Sequence, residues 1–213
     1  MSIHPRARAI VFAISMALLV VACSSVATQY PLSAEPRPVD KDRFEGIWLH
    51  HKEPLVLRFA SNGIARIAGV EWKDDQFRLV QAEVIVTIGK KSNFLSVRFQ
   101  RDGKWMDHYY FLQYHFTDQG DLLLWLPNAA VFKEAIGTNR LQGMVVKKGQ
   151  YDTDITITNA PTALLEFIDA PENLTLFNYR EPMVLRKISV LELPQILWRE
   201  REKAEQPTPG DKK

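Results

Sequence analysis

The chain has 213 residues, with 27 Lys and Arg, 25 Asp and Glu, and a single cysteine. Arg6 and Arg8 are the only residues of these four charged types before Cys23, so the chain from Cys23 onwards is formally neutral. A neutral chain lacks the basic face that nucleic-acid binding requires, and one cysteine cannot form an internal disulfide. We therefore expect no nucleic-acid partner, and a domain that is stabilised by its hydrophobic core alone.

The first 22 residues have the pattern of an export signal. Arg6 and Arg8 precede an apolar run over 9–22. A basic start, a short apolar stretch and a small residue before the cleavage point are typical of signal peptides. The run has 14 residues, fewer than the roughly 20 that span a bilayer. The sequence therefore predicts a signal peptide at 1–22 and not a transmembrane anchor.

The run ends in Val20-Val21-Ala22-Cys23, which resembles the lipobox of bacterial lipoproteins. The resemblance implies cleavage between Ala22 and Cys23, a diacylglycerol on the Cys23 sulfur and acylation of the new amino group. Ser24 stands where an Asp would retain such a protein in the inner membrane. This implies a lipid-anchored protein of the outer membrane that faces the periplasm. Several acyl chains anchor a protein stably where one does not, since each buried methylene contributes about 0.8 kcal/mol.

Segments of low apolar content flank the central part of the chain. Residues 23–42 contain three prolines and are predicted as the lipidated cysteine and an extended tether. Residues 199–213 are charged and lack large apolar side chains, which predicts a disordered tail. Between them, residues 43–198 are predicted as one β-rich globular domain without internal repeats.

Most of that domain alternates between apolar and polar residues with the period of a β-strand. In 93–100, Leu95 and Val97 alternate with Ser96 and Arg98. This pattern is typical of a strand with one buried face and one solvated face. Turn signals rich in Gly, Asn and Asp separate the runs. Ten strands are predicted, near 46–51, 55–60, 63–72, 77–88, 93–100, 107–117, 121–126, 142–148, 152–158 and 183–188.

Helices interrupt the later strands. One is predicted over 128–136, with Asn128 as N-cap and Gly137 at its end, and one over 161–168, with Pro at its start. A third is predicted over 194–204. Consecutive strands joined by short turns form a meander, and closing the meander removes its unpaired edges. We therefore predict a mainly β fold, an antiparallel meander that closes into an eight- to ten-stranded barrel, with a two-sheet sandwich as the alternative.

Gly46-Ile47-Trp48 opens the first predicted strand and resembles the Gly-x-Trp motif of the lipocalins and their calycin relatives. In that family the Trp closes the narrow end of the barrel, and an Arg near the end of the last strand packs over it. By position, Arg186 corresponds to that Arg, and a helical stretch follows it as in the family. The resemblance covers the two ends of the domain, and the helices between 128 and 170 depart from it.

No spacing of residues in the sequence indicates catalysis or metal binding. His50 and His51 are adjacent, as are Asp107 and His108, and adjacent residues of a strand point to opposite faces. Neither pair is therefore expected to share a site. No nucleophile elbow or glycine-rich phosphate loop occurs in the sequence. We predict that the protein is not an enzyme and has no cofactor or metal ion.

Aromatic residues are densest in 105–116. On one face of the predicted strand, Tyr110, Tyr114 and Phe116 either line a ligand cavity with apolar walls and hydroxyl groups or pack as ordinary core. The first interpretation predicts a non-catalytic barrel that binds a hydrophobic or amphipathic ligand, such as a fatty acid or phospholipid. The alternative is an accessory interaction protein of a cell-envelope complex without a small-molecule ligand.

Overall fold

The structure is a computed structural model of the chain. It describes residues 24–36, 38–51, 53–73, 76–148, 153–170, 173 and 175–195. The predicted signal peptide, Cys23, most of the third predicted helix and the predicted tail lie outside the described residues.

The described residues form strands and short helices in the following order. The elements are β1 (Ser24–Thr28), α1 (Lys41–Phe44), β2 (Gly46–His50), β3 (Glu53–Phe59), β4 (Ala65–Lys73), β5 (Gln76–Ile88), β6 (Asn93–Arg101), β7 (Lys104–Trp105), β8 (Tyr109–Phe116), β9 (Leu122–Trp125), α2 (Ala129–Gly137), β10 (Gly143–Lys147), β11 (Thr153–Ile157), α3 (Pro161–Asp169) and β12 (Met183–Ile188). A helical turn at 192–195 follows β12. None of the described helices has the length and apolar character needed to cross a membrane.

Eight strands close into an antiparallel barrel. Hydrogen bonding runs from β2 through β3, β4, β5, β6, β8, β9 and β12, and β12 pairs with β2 to complete the ring. The prediction of a mainly β fold with a closed antiparallel meander is thereby confirmed, and the sandwich alternative is excluded. All ten predicted strands are present, and the structure adds β1 and the short β7.

The barrel interior is one of two hydrophobic cores. Side chains that alternate inward along the eight strands fill it, because successive residues of a strand point to opposite faces. Its buried members from the barrel strands are Trp48, Leu57, Ala65, Ala82, Val84, Val86, Leu95, Val97, Leu112, Tyr114, Leu122, Leu124 and Leu185, and Phe44 of α1 joins them.

The second core lies outside the barrel, against the outward faces of β6 and β8. Here β1 pairs with the start of β8 and runs parallel to β11, which pairs in turn with β10. Helices α2 and α3 contribute buried side chains to the same core. Its buried members are Val26, Leu32, Phe94, Phe111, Phe132, Ala135, Leu141, Ile155, Ile157, Leu164, Ile168, Leu176 and Phe177. We call the barrel interior the inner core and this second cluster the outer core.

The prediction of a tether over 23–42 is wrong for the residues that follow Cys23. Ser24–Thr28 form β1, and Val26 is buried in the outer core. Leu32 is also buried, and its N–H donates to Ser96 Oγ at 3.0 Å. The β-rich domain therefore includes Ser24–Thr28, ahead of the predicted start at residue 43. The sequence pattern did not indicate β1 because its small residues pair with β11, far along the chain.

The face of β6 that was predicted to meet solvent is covered by the outer core. Ser96 is fully buried, as is the neighbouring Phe94. Helix α2 begins as predicted, since the Asn128 side chain accepts from Ala130 N–H at 3.2 Å. Its last residue is Gly137, where the sequence predicted the end of the helix, and Thr138 is the C-cap.

Candidate functional site

An apolar cavity of about 70 Å³ lies inside the barrel. Its walls are the inward-facing aliphatic residues of the middle of the barrel, and its polar lining residues are His50 and Glu53. The lining consists of His50, Glu53, Leu55, Leu57, Ile67, Ala82, Val84, Leu95, Val97, Phe99, Leu112, Leu122, Leu124, Met183 and Leu185.

The cavity adjoins the surface at the end of the barrel where β2 turns into β3. A surface groove of about 370 Å³ lies there, lined in part by Leu126, Glu181 and Val184. His50 and Met183 line both the cavity and the groove. We call this the open end of the barrel, and the opposite end, which carries α1, the closed end.

His50 is positioned by the strand period and by the turn that follows it. Two residues after the buried Trp48, it shares the inward face of β2, a signal that could have placed it inside the barrel. Its Nδ1 lies 3.3 Å from Val184 O. A carbonyl oxygen only accepts, so Nδ1 carries the proton and Nε2 is left as an acceptor. Burial lowers the pKa of His50, which keeps the ring neutral at neutral pH.

The expectation that His50 and His51 point apart is wrong. Their ring centroids are 4.3 Å apart. His51 has a φ of 51° and belongs to the turn, not to the strand, so strand alternation does not apply to it. Among the described residues, no group of three or more His, Cys, Asp or Glu side chains is placed to hold a metal ion.

The closed end is filled by aromatic rings around α1. The ring centroid of Phe44 lies 5.5 Å from that of Tyr114 and 4.9 Å from that of Phe116, both edge-on. Burial raises the pKa of Tyr114 to about 12, although nearby Arg43 opposes the shift. Tyr114 and Phe116 share the inward face of β8 but pack in this cluster, and neither lines the cavity.

Trp48 is held at the closed end by a hydrogen bond and a cation. Its Nε1–H donates to Phe44 O at 2.6 Å. The cation over its ring is the Lys187 ammonium, 5.6 Å from the centroid, which also donates to Asp42 O and Arg43 O. Trp48 therefore lies where the resemblance placed it, at a barrel end.

The expected role of Arg186 over Trp48 is wrong by one residue. Arg186 is exposed and alternates with the buried Leu185, so it points outward from β12. Gly46 explains how Lys187 reaches the ring. It has a φ of +143°, and a Cβ at this position would lie 2.8 Å from Lys187 Cε. Glycine thus leaves room for the lysine to cross the start of β2.

Tyr110 lies at the open end, in a short hydrogen-bonded chain. His108 Nδ1 is 2.8 Å from Asp107 Oδ1, and His108 Nε2 is 3.3 Å from the Tyr110 hydroxyl. The expectation that Asp107 and His108 diverge is wrong, because both precede the first residue of β8. The hydrogen bond from His108 lowers the pKa of Asp107, whereas burial raises the pKa of Tyr110.

The hydrogen-bonded chain of Asp107, His108 and Tyr110 positions the Tyr110 ring and does not activate a nucleophile. A raised pKa keeps the Tyr110 phenol protonated at neutral pH, so His108 does not meet a ready nucleophile there. The Tyr110 ring packs beside Phe99, with 6.0 Å between the centroids. Phe99 lines the cavity but Tyr110 does not. The chain therefore orients an aromatic wall beside the cavity.

No protein-family model, no curated protein and no solved structure matches this chain. The candidate site is therefore interpreted from its own geometry. The residues that carry it are His50, Glu53 and Met183 near the open end, together with the aliphatic wall behind them.

Proposed function

We propose that the protein is an outer-membrane lipoprotein, anchored through Cys23 and facing the periplasm, whose barrel binds an amphipathic ligand without catalysing a reaction. The observation that carries the ligand proposal is the apolar cavity, which adjoins a surface groove at His50 and Met183. Concave sites with apolar walls and few polar groups are typical of small-molecule binding. The signal sequence and Cys23 support the anchor.

The size of the cavity limits what can enter it. An apolar cavity of about 150 Å³ accommodates benzene, and the cavity of this barrel has about 70 Å³. It therefore accepts the end of one alkyl chain and not a whole lipid. The rest of such a ligand would leave past His50 and Met183 into the groove.

The polar residues near the open end select the head group. His50 offers Nε2 as an acceptor, and Glu53 brings a carboxylate to the same lining. Hydrogen-bond acceptors favour a head group that donates hydrogen bonds, such as an alcohol or an amine. A free carboxylate is disfavoured there because it has no hydrogen to donate. The ligand class that fits best is a single-chain amphiphile with a neutral or cationic head.

A pair of alanine variants tests this binding. Ala82 is buried and lines the cavity, so Ala82→Leu fills it. Ala68 lies on the neighbouring β4, where alternation from the buried Ala65 points it outward, so Ala68→Leu is the matched control. Octan-1-ol and octanoate serve as probes of equal chain length, measured by native mass spectrometry on residues 24–213.

We expect octan-1-ol to bind the wild type and Ala68→Leu, and to bind Ala82→Leu at least tenfold more weakly. Octanoate should bind every variant at least tenfold more weakly than octan-1-ol binds the wild type. Equal binding to Ala82→Leu and the wild type would place the alcohol outside the cavity. No binding to the folded wild type would refute the ligand proposal and leave the interaction protein as the better interpretation. The small volume of the cavity is the observation that favours that alternative.

The anchor is tested separately, in bacterial cells. Labelled palmitate is expected to enter the wild-type protein and not the Cys23→Ser variant. Intact mass of the protein extracted from the outer membrane should show Cys23 as its lipidated first residue. A wild-type protein that is exported without palmitate label and cleaved at another residue would refute the anchor. The ligand proposal would not be affected, because the octan-1-ol experiment tests it separately.

A further inference from the structure

The residue that follows the proposed lipid anchor belongs to the sheet. Ser24 is the first residue of β1 and pairs with Thr153 of β11. Consecutive Cα atoms are about 3.8 Å apart, so a single peptide unit joins the proposed anchor residue to β1. A lipid on Cys23 would therefore hold this end of the sheet at the membrane surface, with no tether between them.

Two lysines lie at the same end of the sheet. Thr153, the partner of Ser24, also pairs with Lys147 at the end of β10. Lys147 and the following Lys148 are both exposed. Lys148 forms an ion pair with Asp154, whose Oδ1 also accepts from Ser25 Oγ at 2.8 Å. The paired carboxylate is thus neutralised locally, and Lys147 adds a positive charge beside the anchor point.

Exposed apolar side chains accompany these lysines. Met144 and Val146 are 60% and 54% exposed. Between them Val145 packs against the outer core, so Met144 and Val146 lie on the opposite face of β10. β10 is the last strand of its sheet and pairs only with β11 among the described strands. Lys147 alternates with Val146, so the end of β10 presents an apolar side chain on one face and a basic side chain on the other. Apolar and basic side chains together are the composition of elements that rest end-on in the membrane interface.

We propose that the end of the sheet formed by Ser24, Val146, Lys147 and Lys148 lies against the phospholipid surface into which the Cys23 acyl chains insert. This inference rests on the lipid anchor of the proposed function. It adds a fixed orientation, in which Val146 reaches the boundary between head groups and acyl chains and Lys147 meets anionic phosphates. β3 lies opposite β8 in the barrel ring and faces away from the membrane.

Two valines give a matched pair of probe positions. Val146 on β10 is 54% exposed, and Val56 on β3 is 42% exposed. Each is replaced by Cys and spin-labelled in the full lipidated protein, reconstituted in vesicles of phosphatidylethanolamine and phosphatidylglycerol. Cys23 is the only native cysteine, and its sulfur is blocked by the lipid, so the label goes to the introduced thiol. Accessibility to a water-soluble nickel chelate and to oxygen is then measured.

The label at Val146 is expected to be at least threefold less accessible to the nickel chelate than the label at Val56, and more accessible to oxygen. Inserting twelve Gly and Ser residues between Cys23 and Ser24 should abolish this difference while the lipid is kept. Lys147→Glu should reduce it in vesicles that contain phosphatidylglycerol, because the charge then repels anionic head groups. The label at Val56 should not respond to either change.

The possible outcomes distinguish the orientation of the sheet at the membrane from the lipid anchor on Cys23. A protein whose intact mass lacks the Cys23 lipid would refute the anchor. A lipidated protein in which both labels are equally accessible to the nickel chelate would refute the orientation alone. Equal shielding of Val146 in unlipidated residues 24–213, without detergent or vesicles, would also overturn it, because a second copy of the chain or another protein would then cover β10.

Discussion

The inner core and the outer core share two strands but are built differently. Residues of β6 and β8 alternate between them, with Leu95 and Leu112 pointing inward and Phe94 and Phe111 pointing outward. The inner core forms from strands that mostly follow one another along the chain. The outer core joins β1 to β11 and to two helices more than a hundred residues later. The inner core therefore depends on local hairpins, and the outer core depends on contacts between distant segments of the chain.

The two cores also differ in how completely they are filled. The outer core brings large rings into contact, with Phe111 and Phe132 centroids 5.6 Å apart and Phe94 and Phe177 centroids 5.8 Å apart. The inner core retains a cavity of about 70 Å³. Empty volume in a core costs stability, because the atoms around it lose contacts. The outer core is therefore the more completely packed support of β6 and β8, while the inner core contains a cavity.

The largest expected effect comes from adjacent residues of β8. Phe111→Ala should lower the free energy of unfolding by about 3–5 kcal/mol, because it removes a fully buried ring from the outer core. Leu112→Ala should cost about 2–3 kcal/mol, at the low end for such changes, because Leu112 already borders the cavity. Urea unfolding followed by tryptophan fluorescence measures both. An equal or greater loss for Leu112→Ala would contradict the difference between the cores.

The next effect is a pH dependence located at the closed end of the inner core. Burial raises the folded pKa of Tyr114 to about 12 from its ordinary value of 10.0, so the folded state holds this proton more tightly than the unfolded state. Its contribution is fully present below pH 10 and is lost as the pH rises towards 12. Two pKa units correspond to about 3 kcal/mol. Stability should fall by about this amount more in the wild type than in Tyr114→Phe.

Tyr179 provides the control for that measurement. It belongs to the outer surface and is about half exposed, although burial still raises its pKa. Tyr179→Phe should therefore change the alkaline loss of stability much less than Tyr114→Phe does. Urea midpoints between pH 9 and 12, with absorbance of the tyrosinates at 295 nm, report both variants. Identical alkaline profiles for the wild type and Tyr114→Phe would show that Tyr114 titrates as an ordinary phenol.

The smallest expected effect separates Lys187 from its neighbour in β12. Lys187→Met removes the cation over Trp48 and the hydrogen bonds to the carbonyls of α1, and should cost about 1 kcal/mol. Arg186→Met removes an outward charge and should change stability by about 0.5 kcal/mol or less. Thermal unfolding of both variants makes the comparison. A larger loss of stability for Arg186→Met than for Lys187→Met would contradict this assignment. It would favour Arg186 as the residue that packs over Trp48, as the lipocalin resemblance implied.

The ten strands and the closure of the barrel followed from local patterns. Alternation with period two identifies a strand from its own residues, and short turns imply that neighbouring strands pair. Asn128 and Pro161 likewise start their helices where the sequence placed them, because capping depends on the residues nearby. Trp48 lies at a barrel end, as the Gly-x-Trp motif at the start of the first barrel strand implied.

None of the three residues predicted to bind a ligand lines the cavity. Tyr110, Tyr114 and Phe116 were correctly placed on one strand face, and that face does point into the barrel. Which part of the barrel interior stays empty depends on how side chains from all eight strands meet, so the sequence pattern did not indicate His50 and Glu53 as lining residues. Lys187 took the position over Trp48 because register, not residue type, decides which side chain crosses the barrel end.

Contacts between distant parts of the chain determined the features that local sequence patterns did not predict. Ser24–Thr28 look like a tether because they are short and small, and they become a strand only beside β11. Ser96 reads as a solvent-facing residue and is buried because α2, α3 and the segment around Leu32 cover that side of the barrel. The amino-acid order thus determined which segments are strands. The tertiary structure decided which faces are covered, since burial depends on partners that no local period can identify.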